Sequence, residues 1–392
     1  MSETSDLPED ILEAILAVAG GGKASLHEPS FQGNEWKYLK DCLDTTYVSS
    51  VGAYVDRLEA DLAEYTGAKF AVAVSNGTAG LHIALMLAGV EPGDEVLIPS
   101  LSFVATANAV AYCYATPHFM ESCADNLGID TYALDQYLRA ETEQINGCCV
   151  NKRSGKSIKA IVPMHVFGHP VDMDHLIEVA AQNNLVVVED AAESLGSYYK
   201  NKHTGTLGQI GVLSFNGNKI ITTGGGGAIL TNDEALARRA KHITTTAKIF
   251  HKWEYRHDEV GYNYRLPNIN AALGCAQLEQ IETFIQAKRK LFKTYRDALK
   301  NIPEIALLAE PIDCQSNYWL QTMILNEKYE FLLEDILQVT NDNGIMTRPL
   351  WTPLHQLMPF LDCPKMNLHN AERFARRVIN IPSSSHLMDE AR

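Results

Sequence analysis

Three short stretches of the chain carry residues able to do chemistry. The first, Ser75-Asn76-Gly77-Thr78-Ala79-Gly80, follows the apolar run FAVAV and opens the run LHIALML. The start of a helix leaves backbone N–H groups open and presents a positive dipole end, so Gly77 and Thr78 could cradle a phosphate. An ordinary glycine-rich turn between a strand and a helix would use the same letters. The stretch matches neither G-x-G-x-x-G nor G-x-x-x-x-G-K-S/T, so a dinucleotide fold and a P-loop gain no support.

The second stretch is LVVVEDAAESLG. Asp190 ends an apolar strand, the place where doubly wound sheets bind ligands. A carboxylate there can hold a protonated ring nitrogen, a ribose hydroxyl or a metal. It can equally cap a helix over AAES, with Glu193 completing a capping box. In the third stretch, Lys219 lies in Ser214-Phe215-Asn216-Gly217-Asn218-Lys219, ahead of Gly224-Gly225-Gly226-Gly227. Lysine forms a Schiff base with a carbonyl when its surroundings favour the amine. Most lysines are simply solvated, but glycines weaken a strand unless something must approach closely.

Taken together, a phosphate cradle, a strand-end carboxylate and a flanked lysine are the parts needed to hold pyridoxal phosphate. The cradle takes the phosphate, Asp190 keeps the pyridine nitrogen protonated, and Lys219 holds the aldehyde carbon.

Alternating strand and helix patterns position these residues. From about residue 68, AKFAVAVSNGTAGLHIALMLAG reads as strand, turn and helix, and DEVLIPSLSFVATANAVAYC repeats that order. IKAIVPMHVFG, DMDHLIEVAAQNN and LVVVEDAAESLG then give strand, helix and strand. Short, continuous apolar strands suit a parallel sheet covered by helices on both faces. GVLSFNGNKIITTGGGGAILTND reads as two strands of a hairpin, and a long charged helical stretch follows Pro267. Before all of this, Ile11, Leu12, Ile15 and Leu16 recur at helical spacing, with Asp6 as cap and Gly20-Gly21-Gly22 as stop. That helix is expected to dock on the body or on a partner chain. The reading is a 1–29 helical segment, a 30–250 large domain and a 251–392 smaller α/β domain.

Composition narrows the function. The chain has 392 residues, 46% of them hydrophobic and 21% charged, which excludes global disorder. A formal net charge of −15 argues against nucleic acid or an anionic membrane as partner. The first residues, MSETSDLPED, are acidic where a signal peptide would be basic, and no apolar run approaches a membrane span. Eight cysteines without a C-x-x-C pair suggest reduced thiols, no metal site and a cytoplasmic location.

The order and spacing of SNGTAGL, PSLSFVATANAV, VPMHVFGHPVDMD, VVEDAAESLGS, SFNGNK…GGGG, GYNYRLPNINAALG and PLHQ resemble the DegT family of nucleotide-sugar aminotransferases. The GNEWKYLKDCLDTTYVSSVG segment is most similar to the LegC-like branch. The resemblance implies a PLP-dependent transferase fold: a large domain with a mostly parallel seven-stranded sheet flanked by helices, plus a smaller C-terminal domain. It implies Lys219 as the Schiff-base lysine and Asp190 as the pyridine-nitrogen partner. Gly77, Thr78 and Ser214 then meet the phosphate, Phe103 stacks on the ring, and Glu193 lies near the ring hydroxyl. Asn263 and Arg265 would reach the site of a neighbouring subunit in a homodimer. His355 and Arg348 are substrate-side candidates. Phe167 stands where many relatives carry tyrosine, and Lys219 argues against the dehydratase branch, which has histidine there.

The implied reaction moves the amino group of glutamate, by way of pyridoxamine phosphate, to C4 of a nucleotide-linked 4-keto-6-deoxy sugar. Through the LegC-like likeness the expected acceptor is a UDP-2-acetamido-2,6-dideoxy-4-keto-hexose, for surface-polysaccharide or nonulosonic-acid biosynthesis. The alternatives are a GDP- or dTDP-sugar of the perosamine type, or a regulatory binding protein that keeps the fold without turnover. His165 is expected to be a satisfied histidine at a strand end.

Overall fold

A computed structural model describes residues 6–389. Seven strands run through its large sheet: β1 (Phe70–Val74), β2 (Glu95–Pro99), β3 (Thr116–Met120), β4 (Ser157–Ile161), β5 (Val186–Asp190), β6 (Ile210–Ser214) and β7 (Gly227–Thr231). Their spatial order is β1-β7-β6-β5-β4-β2-β3. The pairs from β6 through β5, β4 and β2 to β3 are parallel, whereas β7 is antiparallel to both β1 and β6. The mostly parallel seven-stranded path is as expected. A polar hairpin, Thr142–Ile145 with Cys148–Asn151, adds two further strands beside β4. It lacks the apolar runs that reveal the others.

Helices cover both faces, which is why strands such as β2 and β7 are mostly apolar and fully buried. The helix Gly77–Leu87 is apolar nearly all round for the same reason, wedged between the sheet and its neighbours. β6 and β7 form the expected hairpin, and Val74, Gly227 and Ser214 lie in register across β1, β7 and β6. The carboxyl ends of β1, β5 and β6 therefore open on one edge of the sheet.

A second, antiparallel sheet contains β8 (Ile305–Leu307), β9 (Gln321–Leu325), β10 (Arg348–Pro349) and β11 (Val378–Ile381), in the order β8-β9-β11-β10. The charged stretch after Pro267 is two helices, Asn268–Leu278 and Ile281–Leu299. The helix Leu7–Ala19 ends at Gly20, whose φ of 83° suits glycine, and Asp6 makes no side-chain cap. Its Leu7, Ile11, Leu12 and Ile15 enter one apolar core with Leu291, Tyr295, Met323, Ile336, Ile379 and Ile381. The docking partner is thus the second sheet and its helices.

Side chains alternate along a strand, so Glu189 and Asp190 of β5 face opposite ways. Glu189 accepts hydrogen bonds from the N–H groups of Gly205, Leu207 and Gly208 at 2.7, 2.7 and 2.6 Å. His165 Nε2 lies 3.0 Å from Glu189. Val171 N–H donates to His165 Nδ1 at 3.2 Å, so the ring proton sits on Nε2 and points at the carboxylate. His165 is the satisfied histidine expected. Burial pushes the Glu189 carboxyl upward, but His165 and the backbone donors outweigh it and hold it below the usual range. This stability is present above the unfolded carboxylate value and is lost as pH falls through the depressed folded value. Glu189→Ala is expected to destabilise the protein by about 3–5 kcal/mol in a urea titration at neutral pH.

Candidate active site

The β6–β7 hairpin loop carries Lys219. Fully buried Phe215 roots the loop: its N–H donates to Gly226 O at 2.8 Å, and its own carbonyl accepts from Thr223 N–H at 2.9 Å. Lys219 N–H closes a turn onto Asn216 O at 2.9 Å. The glycine run has separate physical causes. Gly224 adopts a φ of +77°, and a Cβ on Gly227 would stand 2.6 Å from Leu213 O and 2.9 Å from Gly77 N. The end of β6 and the Asn76–Gly77 turn can both lie close against β7 only because that Cβ is missing.

The Lys219 side chain is only 13% exposed, and its Nζ lies 3.1 Å from Glu193 Oε1. The Trp319 ring centroid is 3.8 Å from the same nitrogen. Glu193 also accepts Phe167 N–H at 2.9 Å. Phe167 holds a φ of 54°, a left-handed conformation costly for a bulky residue, and this aims its N–H at the carboxylate. Phe167 thus enters the site through its backbone, while its ring packs 4.9 Å from that of Trp351.

Asp190 is buried at the end of β5. Its carboxylate accepts the Thr106 hydroxyl at 2.7 Å and Ala192 N–H at 3.2 Å. Ser102 Oγ, 2.7 Å from Thr106 Oγ1, extends this chain of hydroxyls. The capping-box alternative is excluded: residues 191–197 form turns rather than a helix, and Asp190 N–H goes to Pro163 O. Burial pushes the Asp190 carboxyl up, against the pull of Thr106, Ala192, Lys219 and His165. Glu193 is also pushed up by burial, against Lys219 and Phe167 N–H and with the charge of Asp190 adding to the rise. Two buried carboxylates therefore lie within the field of one lysine, which is hydrogen-bonded to Glu193.

At the start of the helix Gly77–Leu87, Asn76 Oδ1 accepts Ala79 N–H at 2.8 Å and fixes the turn. The Gly77 and Thr78 N–H groups find no acceptor among the described residues. A Cβ on Gly77 would lie 3.0 Å from Ser214 Cβ and 3.3 Å from its Oγ, so Ser214 stands directly on the turn. Phe103 precedes the helix Val104–Tyr112, is 53% exposed, and has no ring partner among the described residues. Open N–H donors, a free aromatic face, a buried carboxylate awaiting a cation and a lysine fit pyridoxal phosphate from end to end.

Other expected residues lie elsewhere. Arg265 bridges to Val74 at the end of β1, and its Nε donates to Asn263 Oδ1 at 3.0 Å. Within the chain neither contacts Lys219. Exposed Arg348 donates to Asn341 Oδ1 at 3.0 Å and to Thr347 O at 2.8 Å. His355 is buried, with Nδ1 2.7 Å from Ser100 Oγ and Nε2 3.0 Å from Glu372 Oε1. Both ring nitrogens have partners within the chain, at the turn Leu354–Gln356. Thr106, Asn317 and Trp319 were missed, because distant elements bring them in. One local signal existed for Thr106: it lies four residues after Ser102, one helical turn.

Comparison with known proteins agrees with this geometry. The family model for DegT/DnrJ/EryC1/StrS aminotransferases matches residues 29–392. The chain is 38% identical over 366 residues to a GDP-perosamine synthase of Escherichia coli O157:H7, covering 93% of this chain and 94% of that one. It is 36% identical to a putative pyridoxal phosphate-dependent aminotransferase, EpsN, of Bacillus subtilis, covering 94% and 92%. Helicobacter pylori PseC, an aminotransferase involved in pseudoaminic acid biosynthesis, superposes with a TM-score of 0.85 at 26% identity, covering 94% of this chain and 96% of that one. With Lys219, Asp190 and the Gly77 turn gathered on one sheet edge, these likenesses show the chain to be a pyridoxal phosphate-dependent sugar aminotransferase belonging to the DegT/DnrJ/EryC1/StrS family.

Proposed function

We propose that the chain transfers the amino group of glutamate to C4 of a GDP-linked 4-keto-6-deoxy sugar. The observation that carries this choice is the 38% identity, over nearly the whole chain, to a protein named GDP-perosamine synthase. It favours the GDP-sugar alternative over the UDP-2-acetamido sugar expected from the LegC-like segment.

Bound pyridoxal phosphate supplies the electron sink. The N–H groups of Gly77 and Thr78, with Ser214, bind its phosphate, and Phe103 orients its ring. Asp190 holds the ring-nitrogen proton, and the Lys219 amine moves the proton at the reacting carbon. Glu193 sits beside that amine and fixes its direction. Asn263 and Arg265 are proposed to reach the site of a second copy in a cytoplasmic homodimer. Exposure of Trp36, Tyr47, Phe250, Trp253 and Tyr255 in the single chain supports such an association. A polysaccharide precursor of the O-antigen type is the proposed destination of the product.

The test is incubation with glutamate and 4-keto-6-deoxy sugars linked to GDP, UDP or dTDP, with the amine detected by mass spectrometry. Faster turnover of the GDP-sugar is the expected result. Preference for a UDP-sugar would restore the other acceptor, and no turnover of any would end the reading.

A further inference from the structure

A side chain next to the second sheet meets the Lys219 loop directly. Trp319 lies just before β9, is buried, and donates its indole N–H to Asn218 O at 2.7 Å. It thereby grips the peptide that leads into Lys219 while its ring faces Nζ. Trp319 is itself fixed at both backbone groups. Its N–H donates to Asn317 Oδ1 at 2.8 Å, and its carbonyl accepts the buried Lys288 Nζ at 3.0 Å. The amide nitrogen of Asn317 donates to Glu193 O at 3.0 Å and to Leu195 O at 2.9 Å. Asn317 therefore ties together the carboxylate and the aromatic face that flank the lysine nitrogen.

We infer that Trp319 is a positioning residue, forming with Glu193 a docking place that the Lys219 amine occupies whenever it is not covalently engaged. An ammonium over an indole face is stabilised by the ring quadrupole, most strongly where water is excluded. A flexible lysine released from the cofactor would otherwise sample several rotamers, and each one away from the site delays its return. Docking keeps the nitrogen within reach of the carbon where it exchanges a proton. The inference rests on Lys219 being the cofactor lysine and not on which sugar is the acceptor.

Apoprotein provides the test, so a wrong sugar assignment leaves it untouched. Lys219 is labelled with an amine-specific reagent at fixed pH and followed by peptide mass spectrometry. Trp319→Leu, which loses ring and N–H, should raise the labelling rate roughly fivefold, and Trp319→Phe, which keeps a ring face, by less than twofold. In parallel, Lys219→Met should shift tryptophan emission in the wild-type background and leave it unchanged in Trp319→Phe. This second measurement stands even where Trp319→Leu does not fold. Equal labelling of folded wild type and Trp319→Leu, or an emission shift that survives without Trp319, would overturn the inference.

Discussion

Lys219→Ala is expected to lower turnover by about 10⁴-fold or more, because the proposed function makes one nitrogen both cofactor anchor and proton carrier. On that proposal the loss should fall on kcat in both half-reactions, since the same amine would move the proton in each. The phosphate turn and Asp190 remain in place, so the variant should still take up pyridoxal phosphate without a covalent bond. Borohydride treatment followed by intact mass then separates the two proteins: wild type retains one cofactor mass, located at position 219, and the variant retains none. Tagging of a different lysine, or undiminished turnover, would remove Lys219 from its role. The fold should survive. Glu193 loses its cation partner but keeps Phe167 N–H as a partner, and burial already pushes its carboxyl toward the neutral form.

Asp190→Asn should lower turnover by about 10³-fold, since a neutral amide cannot hold the ring-nitrogen proton that makes the cofactor an electron sink. The same substitution should stabilise the apoprotein at neutral pH. The folded-state value of Asp190 is raised by burial, so the unfolded chain releases its proton at a lower pH than the folded one. Stability contributed by this group is therefore fully present below the ordinary carboxylate value, about 4, and is lost as pH rises toward the raised folded value. Asparagine has no such loss. Melting temperatures of apo wild type and variant should differ at pH 7 in favour of the variant and converge near pH 4. A variant less stable at pH 7, or a difference independent of pH, would contradict the electrostatic account. Function here opposes stability: the carboxylate is costly until a cation arrives.

Much of the scaffold was legible because its signals are local. Continuous apolar runs marked the strands of the parallel sheet, and helical spacing marked Leu7–Ala19. Asp190, Lys219 and the Gly77 turn could be read from their places at strand ends. The polar hairpin beside β4 carried no such signal. Trp319 was invisible for a different reason: it lies a hundred residues from Lys219 in the chain, and only packing of the second sheet against the hairpin loop brings them together. Thr106 meets Asp190 by the same kind of long-range approach. The left-handed backbone of Phe167 has no compositional mark, since glycine or asparagine would ordinarily advertise it. The internal partners of His355 were not legible either, because a histidine in a proline-bounded loop reads the same whether its ring meets a ligand or two neighbours.

The placement of the helix Leu7–Ala19 bears on how this chain is made. Its apolar face is covered by residues between Leu291 and Ile381, which are translated well after it. At about 5–20 residues per second, Ile11 and Ile15 wait tens of seconds for their neighbours. Nascent chains stalled before the second sheet is complete should therefore present the uncovered apolar face of this helix to chaperones.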